Sequence, residues 1–387
     1  MSHNVLVSGA LDYLGGTVLA RWMAASLPPA YNTLYALVHS DEEADAVKQY
    51  GAEPLVLDLA DLESVAGSIA AKQITIICFL VDVFNAKAQR VMIDALKRVK
   101  HTTGREVHFL HNAGAKVLSS HVEVCDEPLL DSKPRLSEIQ KTSSPHGRFT
   151  RITGANMKAI EIADTNGVRS YTIAPGLVYG EGEGIGVRVS SQEVAIVQTA
   201  SAARRFSKAD IHGPVSPVCH VTDAASLCLH ILRNILQGSE IGYGRDGLYL
   251  AASGNIALGE VYKAFAGVLA KRGLIDNVKV EVAKLAPEQE AEGLDLEKVQ
   301  TDLSRCKYMA KHGCEIGWTP QYPVEHILEV ADAEVELALD ALEDEAEAAM
   351  QQSHFEELMR WAKIAGMVIA GEIVTLASIS ARQSLGF

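Results

Sequence analysis

Asn4-Val5-Leu6-Val7-Ser8-Gly9-Ala10-Leu11-Asp12-Tyr13-Leu14-Gly15 is the stretch that decides the fold. Four of its first five residues are apolar or small, the run ends at Gly9, and Leu14, Val18 and Trp22 then recur at helical steps until Pro28-Pro29. An apolar run, a tight turn and an amphipathic helix read as strand, turn and helix. A second apolar run, Thr33 to Val38, leads into Ser40-Asp41-Glu42-Glu43, a capping-box spacing, and the helix it opens is closed by Gly51. One βαβ unit is thereby complete.

The alternation continues. Further strands are expected at Glu53–Leu57, Ile74–Leu80, Glu106–His111 and Ser170–Ala174, each apolar enough to be buried on both faces. Between them, Asn85–Lys100 carries Met92, Leu96 and Val99 on one stripe, and Asn156–Asp164 stops at Asn166-Gly167. Strands alternating with helices predict an α/β fold, a Rossmann-type doubly wound parallel sheet. Residues 1–180 form this dinucleotide-binding-type domain. Residues 181–323, where the pattern loosens, suit a smaller α+β substrate lobe over the carboxyl edge of the sheet, and 324–387 read as a C-terminal helical extension. In that extension, the acidic run Glu325–Glu347 reads as a solvated helix face, and the nearly charge-free Ile364–Ser380 as a helix for subunit contact. That last stretch holds Glu372 at its middle and is shorter than the ~20 residues a bilayer span requires.

A chain of 387 residues that is 48% hydrophobic can bury a large core. Its net charge of −14 argues against nucleic-acid and anionic-membrane partners, which call for a supply of Lys and Arg, and favours a small-molecule ligand. The six cysteines, at irregular spacing with no C-x-x-C pair, suggest neither a zinc cage nor a disulfide framework, so reduced thiols and no metal are expected. With the first strand beginning at Asn4 there is no room for a leader ahead of it, and a cytoplasmic location is expected.

Gly9 and Gly15 hold the first and last positions of a G-x-x-G-x-x-G dinucleotide turn, whose first glycine makes the bend and whose last admits close helix–strand packing. Its middle glycine, which lets backbone approach a pyrophosphate, is Asp12. A carboxylate there opposes a diphosphate on the helix N-terminus, so NAD(P) binding is expected to be weak or dispensable; Asp12 equally suits a helix N-cap.

With Gly9 to Gly15, Asp58-Leu59 after the third strand, Pro175-Gly176-Leu177-Val178-Tyr179-Gly180 after the sixth, and His220-Val221-Thr222-Asp223, the chain resembles an atypical extended short-chain dehydrogenase/reductase over about residues 4–330. More narrowly it is similar to fungal NmrA-like and NAD-dependent epimerase/dehydratase-like proteins, many of them in secondary metabolism. The resemblance implies that Gly9, Asp12, Tyr13, Leu14 and Gly15 line the cofactor turn, that Asp58 with Leu59 reaches the adenine, that His39 stands where an arginine often grips a 2'-phosphate, and that the segment from Pro175 to Tyr179 runs along the nicotinamide side.

The family's redox chemistry rests on a Tyr-x-x-x-Lys pair with a Ser or Thr holding the carbonyl. None of the 11 tyrosines here has a lysine four residues on. Thr153-Gly154-Ala155-Asn156-Met157-Lys158 offers Lys158 but puts Gly154 in the tyrosine position; a one-residue shift of register replaces the pair by Thr153 and Met157. The fifth strand ends His111-Asn112-Ala113-Gly114-Ala115, without a hydroxyl. The groups left for chemistry are Lys158, as a desolvated base or cation, His111, Asn112, Tyr179 and Asp82, with His146 and Arg151 in a Ser-rich loop ahead of the helix. Three functions follow: a redox-neutral isomerase, cyclase or lyase; an NAD(P)H-dependent reductase with another proton donor; and an NmrA-like dinucleotide sensor without turnover.

Overall fold

A computed structural model describes residues 2–81, 86–113, 128–132, 148–208, 215–282 and 307–364. It divides into two compact units, 1–338 and 339–387. In the first, strands and helices alternate: β1 (His3–Ser8), α1 (Tyr13–Trp22), β2 (Tyr31–Val38), α2 (Asp41–Lys48), β3 (Glu53–Val56), α3 (Leu62–Ala71), β4 (Ile76–Phe79), α4 (Ala86–Thr103), β5 (His108–Asn112), β6 (Leu129–Leu130), α5 (Arg148–Thr165) and β7 (Arg169–Pro175). Then come β8 (Leu177–Tyr179), α6 (Ser191–Ala203), β9 (Phe206–Lys208), β10 (Val215–His220), α7 (Val221–Gln237), β11 (Leu248–Ala251), β12 (Gly254–Ala257), α8 (Leu258–Lys271), β13 (Val280–Val282), β14 (Tyr308–Met309), α9 (His312–Glu315), α10 (His326–Glu329) and α11 (Ala331–Ile364).

Seven strands form one sheet in the order β11-β7-β5-β4-β1-β2-β3, all its pairings parallel. The doubly wound sheet expected from the sequence is therefore present. Strands with a helix on each face must be apolar on both, and β1 obeys: Val5 and Val7 enter one core with Val18, Trp22 and Leu232, while Leu6 enters the other with Ile77, Met92 and Phe109. Strand order reverses between β1 and β4, and the crevice for a ligand opens there, beyond the carboxyl ends of the strands.

Outside this sheet, β10 pairs parallel with β8 and antiparallel with β12, a small sheet that takes the chain on from Pro175. Asp131, just after β6, staples the periphery: its carboxylate accepts from the backbone N–H of Leu250 (3.0 Å), Lys311 (2.7 Å) and His312 (3.0 Å). The capping-box spacing at α2 forms with one change. Ser40 Oγ accepts from Glu43 N (3.1 Å), but Glu43 reaches past Ser40 to the N–H of His39 (2.7 Å).

Three expectations need correction or comment. α5 begins at Arg148, so Arg151 is helical rather than in a loop. Within the acidic run expected to be solvated, Glu334 is buried, because the turn carrying Ala331, Val335 and Ala338 packs into the first unit. The second unit, described over the helical residues 339–364, keeps the exposed acidic character expected, as at Glu345 and Glu347. The stretch expected to make subunit contact lies, after Ile364, outside the described residues, as do Asp82 and His146. Cys78, Cys219 and Cys228 are buried free thiols and Cys314 an exposed one. Among the described residues no helix is long and apolar enough to cross a membrane, and no cluster of His, Cys, Asp and Glu could hold a metal ion.

Candidate functional site

The turn between β1 and α1 has the geometry its glycines predict. Gly9 adopts φ +75°, and a Cβ there would lie 2.9 Å from Val81 N. A Cβ on Gly15 would lie 1.9 Å from the Gly9 carbonyl oxygen, so helix and strand approach as closely as a missing side chain permits. Asp12 occupies the N-cap position, with φ −77° and ψ 162°, yet its side chain makes no capping hydrogen bond. Its carboxylate lies instead over Gly9, where Oδ2 would be 2.8 Å from an added Cβ. Asp12 thus stands at the cap but does not cap through its side chain. The cradle that a middle glycine would leave open to a pyrophosphate holds a carboxylate, and a diphosphate at this helix N-terminus meets a like charge.

His39 is exposed after β2. Asp58 is exposed and closes its own turn, Oδ1 accepting from Ala60 N (2.8 Å). Leu59 packs half-buried against the second core cluster, and Leu14 is buried in the first.

At the end of β5 the candidates separate. His111 is fully buried, Nε2 lies 3.3 Å from Thr172 Oγ1, Nδ1 has no partner among the described residues, and burial pushes its pKa down to about 4. It is a neutral core residue. Asn112, half-buried opposite Ile173, stands closer to the crevice. On α5 the expected lysine faces away: Lys158 is exposed, whereas Asn156 is buried together with Ala159, Ile160 and Ala163. Among the described residues, neither Asn156 Oδ1 nor Nδ2 has a hydrogen-bond partner. Gln89, in the first turn of α4, is in the same state.

The two helices lie side by side, since Asn166 Nδ2 donates to Asp94 Oδ1 (2.8 Å) and Lys97 Nζ donates to Asn166 Oδ1 (3.0 Å). Asn156 is about 15 Å back along α5 from that contact, toward the start of the helix. Sequence reasoning weighed Lys158 and passed over Asn156. The stripe Asn156, Ala159, Ile160, Ala163, at i, i+3, i+4 and i+7, was the signal that could have found it.

Past Pro175, the chain passes from the main sheet into β8, which pairs with β10. A Cβ on Gly176 would lie 2.2 Å from the Pro217 carbonyl, which binds this segment to β10. Tyr179 is buried; its hydroxyl lies 3.1 Å from His326 Nδ1, its ring meets His220 edge-on at 5.1 Å, and burial, then Cys219 and Asp223, raise its pKa. His220 stacks on Tyr322 at 3.9 Å and accepts from Thr222 N through Nδ1 (3.2 Å), and burial, with His326 and Arg21 beside it, pushes its pKa down to about 4. Asp223 accepts from Gln321 N (2.9 Å) and Tyr322 N (3.1 Å). Tyr179 therefore belongs to an aromatic cluster that locks the lobe together. Tyr13, from the glycine turn, reaches the same region and donates its hydroxyl to the Gly180 carbonyl.

No protein-family model matches the sequence, and no curated protein does. Solved structures do match. A UDP-glucose 4-epimerase with UDP-glucose from Thermotoga maritima is 14% identical, covering 88% of this chain and 99% of its own, with a TM-score of 0.57. A dTDP-glucose 4,6-dehydratase from Bacillus anthracis in complex with NAD is 12% identical, covering 87% and 97%, with a TM-score of 0.58. Vestitone reductase from alfalfa is 16% identical, covering 86% and 98%, with a TM-score of 0.54. At such identities the likeness is one of fold.

Proposed function

We propose that the protein is a small-molecule enzyme on an extended short-chain dehydrogenase/reductase scaffold, and that its reaction is redox-neutral: an isomerisation, cyclisation or elimination. The observation that carries this reading is the face of α5. There the Asn156 amide is buried with both atoms unpaired, while Lys158 is exposed. Carbonyl reduction needs an acid to deliver a proton as hydride arrives, and an amide has no proton to give at neutral pH. It can donate a hydrogen bond. Nδ2–H groups of Asn156 and Asn112 directed at a substrate oxygen would hold it in place and stabilise negative charge as it develops, a contribution typically of about 10²–10³ in rate per donor. A proton then moves between positions on the substrate or through water, with no change of oxidation level.

The fold neighbours, which include an epimerase, a dehydratase and a reductase, support a catalytic role on this scaffold without choosing among reactions. The second reading, an NAD(P)H-dependent reductase, draws its support from the Gly9 turn and the Gly15 packing, both kept.

The test is turnover of carbonyl-bearing small molecules followed by mass spectrometry, with and without NADPH. A product of unchanged mass, or one lighter by water, formed without NADPH and slowed about 10²-fold by Asn156→Ala but little by Lys158→Ala, is the expected result. An NADPH-dependent gain of two hydrogens would hand the case to the reductase.

A further inference from the structure

Glu193 on α6 stands three residues after the N-cap Ser190, the spacing of a capping box. The box does not form. Ser190 makes no side-chain capping bond, and Glu193, 1% exposed, has among the described residues no donor on either carboxylate oxygen. What faces it is a second carboxyl, that of Glu334 on α11, itself 3% exposed. Two carboxylates meeting as acceptors cannot bond; with one proton between them they can. Gly180 N–H donates to Glu334 Oε2 (2.9 Å), which favours the charge on Glu334 and the proton on Glu193.

We propose that this shared proton is a latch: it holds α6 and the first turn of α11 against the loop 180–188, and losing it at alkaline pH releases that loop from the glycine turn. The loop is seated on α1 by contacts that alternate glycine with an anchoring residue. Gly182 packs on the Tyr13 ring, and Glu183 N donates to Thr17 Oγ1 (3.2 Å) while its carboxylate takes Arg21 Nε (2.6 Å) and Nη2 (2.8 Å). Gly184 lies against Gly16, and Val187 N donates to the Leu11 carbonyl (2.8 Å). The two ends close on each other through Gly182 N and the Arg188 carbonyl (2.8 Å). Gly180 heads this loop, bound on its N–H by Glu334 and on its carbonyl by Tyr13. A change at the carboxyl pair therefore acts on the wall of the crevice, whatever reaction the crevice performs.

Among the described residues, the groups facing the pair are mostly acidic or phenolic, and His326 acts to lower the pKa of Glu334. Tyr13 faces both carboxyls from α1, Tyr179 faces Glu334 from β8, and the half-buried His326 faces Glu334 from α10 but is engaged by the Tyr179 hydroxyl. Glu181, from the loop, adds negative charge and is paired with Arg188; two residues along α11, Glu336 is paired with Arg272. Burial raises the pKa of both carboxyls; the Glu334 charge raises Glu193 further, while the Gly180 N–H and Glu193 itself hold Glu334 down. A raised carboxyl pKa favours the folded state at low pH, and that contribution is lost as pH rises.

Trypsin reads the latch at Arg188, which is exposed in the loop. The rate of cleavage after Arg188 in the wild type, divided by the rate in Glu193→Gln at the same pH, cancels the protease's own pH response. The amide introduced by Glu193→Gln would donate a hydrogen to Glu334 at every pH. The ratio should stay near one on the acid side and rise several-fold as pH is carried into the alkaline range and the second carboxyl ionises. Infrared spectra of the wild type should show a protonated-carboxyl carbonyl band at neutral pH that Glu193→Gln removes. A ratio that stays flat, or a wild type without that band, overturns the latch.

Discussion

Replacing Gly15 by alanine tests the packing on which the fold depends, and its size can be worked from the geometry. Gly15 lies within α1 and has no positive φ, so alanine is acceptable to the backbone and, in a helix, is favoured by about 0.5–1 kcal/mol. Space decides the outcome. The new Cβ would lie 1.9 Å from the Gly9 carbonyl oxygen and 2.8 Å from its carbon, where contacts under 3.0 Å are essentially never seen. Helix and turn must therefore separate by about 1.1 Å (3.0 − 1.9), and neither party is a side chain that can swing aside. Forced overpacking of this kind costs about 1–3 kcal/mol or more. Gly67→Ala is the control: Gly67 lies in α3 with nothing within 4 Å of its added Cβ. Urea denaturation should show Gly15→Ala destabilised by at least about 2 kcal/mol and Gly67→Ala stabilised by about 0.5–1 kcal/mol. Equal midpoints for the two variants would refute the packing argument, because propensity alone would then govern both sites.

Asp12→Gly removes the carboxylate from the cradle at α1 and should strengthen NADP or NAD binding at least several-fold in titration calorimetry; tight binding by the wild type, unchanged by the substitution, would contradict the reading. His111 carries an acid-side expectation. Its folded pKa of about 4 lies below the ordinary value of 6.5, so protonation favours the unfolded chain. Its contribution is complete above about pH 6.5 and is lost as pH falls toward 4, up to about 3 kcal/mol. Urea midpoints measured across that window should fall less steeply for His111→Gln than for the wild type, and parallel slopes would show that His111 does not titrate as a buried group.

Six strands of the main sheet could be read in the sequence because a parallel strand covered on both faces must be apolar throughout, and Val5–Val7 or Ile76–Phe79 can be little else. β11 escaped notice: Leu248–Ala251 is four residues long and set among glycines, and only its pairing with β7 makes it a strand. Local rules placed Ser40 and Asp12 at helix caps, and both are there. They did not say where the side chains point. Glu43 passes Ser40 for His39, and Asp12 folds over Gly9, because those choices depend on the neighbouring turn and on β4. Glu193 and Glu334 lie so far apart in sequence that no spacing links them. Of the candidate site, the glycine turn was legible, and the polar groups of α5 were legible in kind but not in direction.

That direction is set by the core. Successive helical residues are about 100° apart, so positions 156 and 158 differ by about 200° and cannot both face the sheet. Turning Lys158 inward would send Ala159, Ile160 and Ala163 toward solvent, forfeiting about 1.5–3 kcal/mol for the isoleucine alone, and would bury an ammonium at several kcal/mol unless a carboxylate met it. The opposite phase buries Asn156, whose unpaired amide costs about 1–3 kcal/mol until something bonds it. The apolar stripe therefore exposes the lysine whatever the chemistry requires. It also leaves a buried amide whose hydrogen bonds are unmet among the described residues, and an amide suits a reaction that needs positioning more than one that needs a proton.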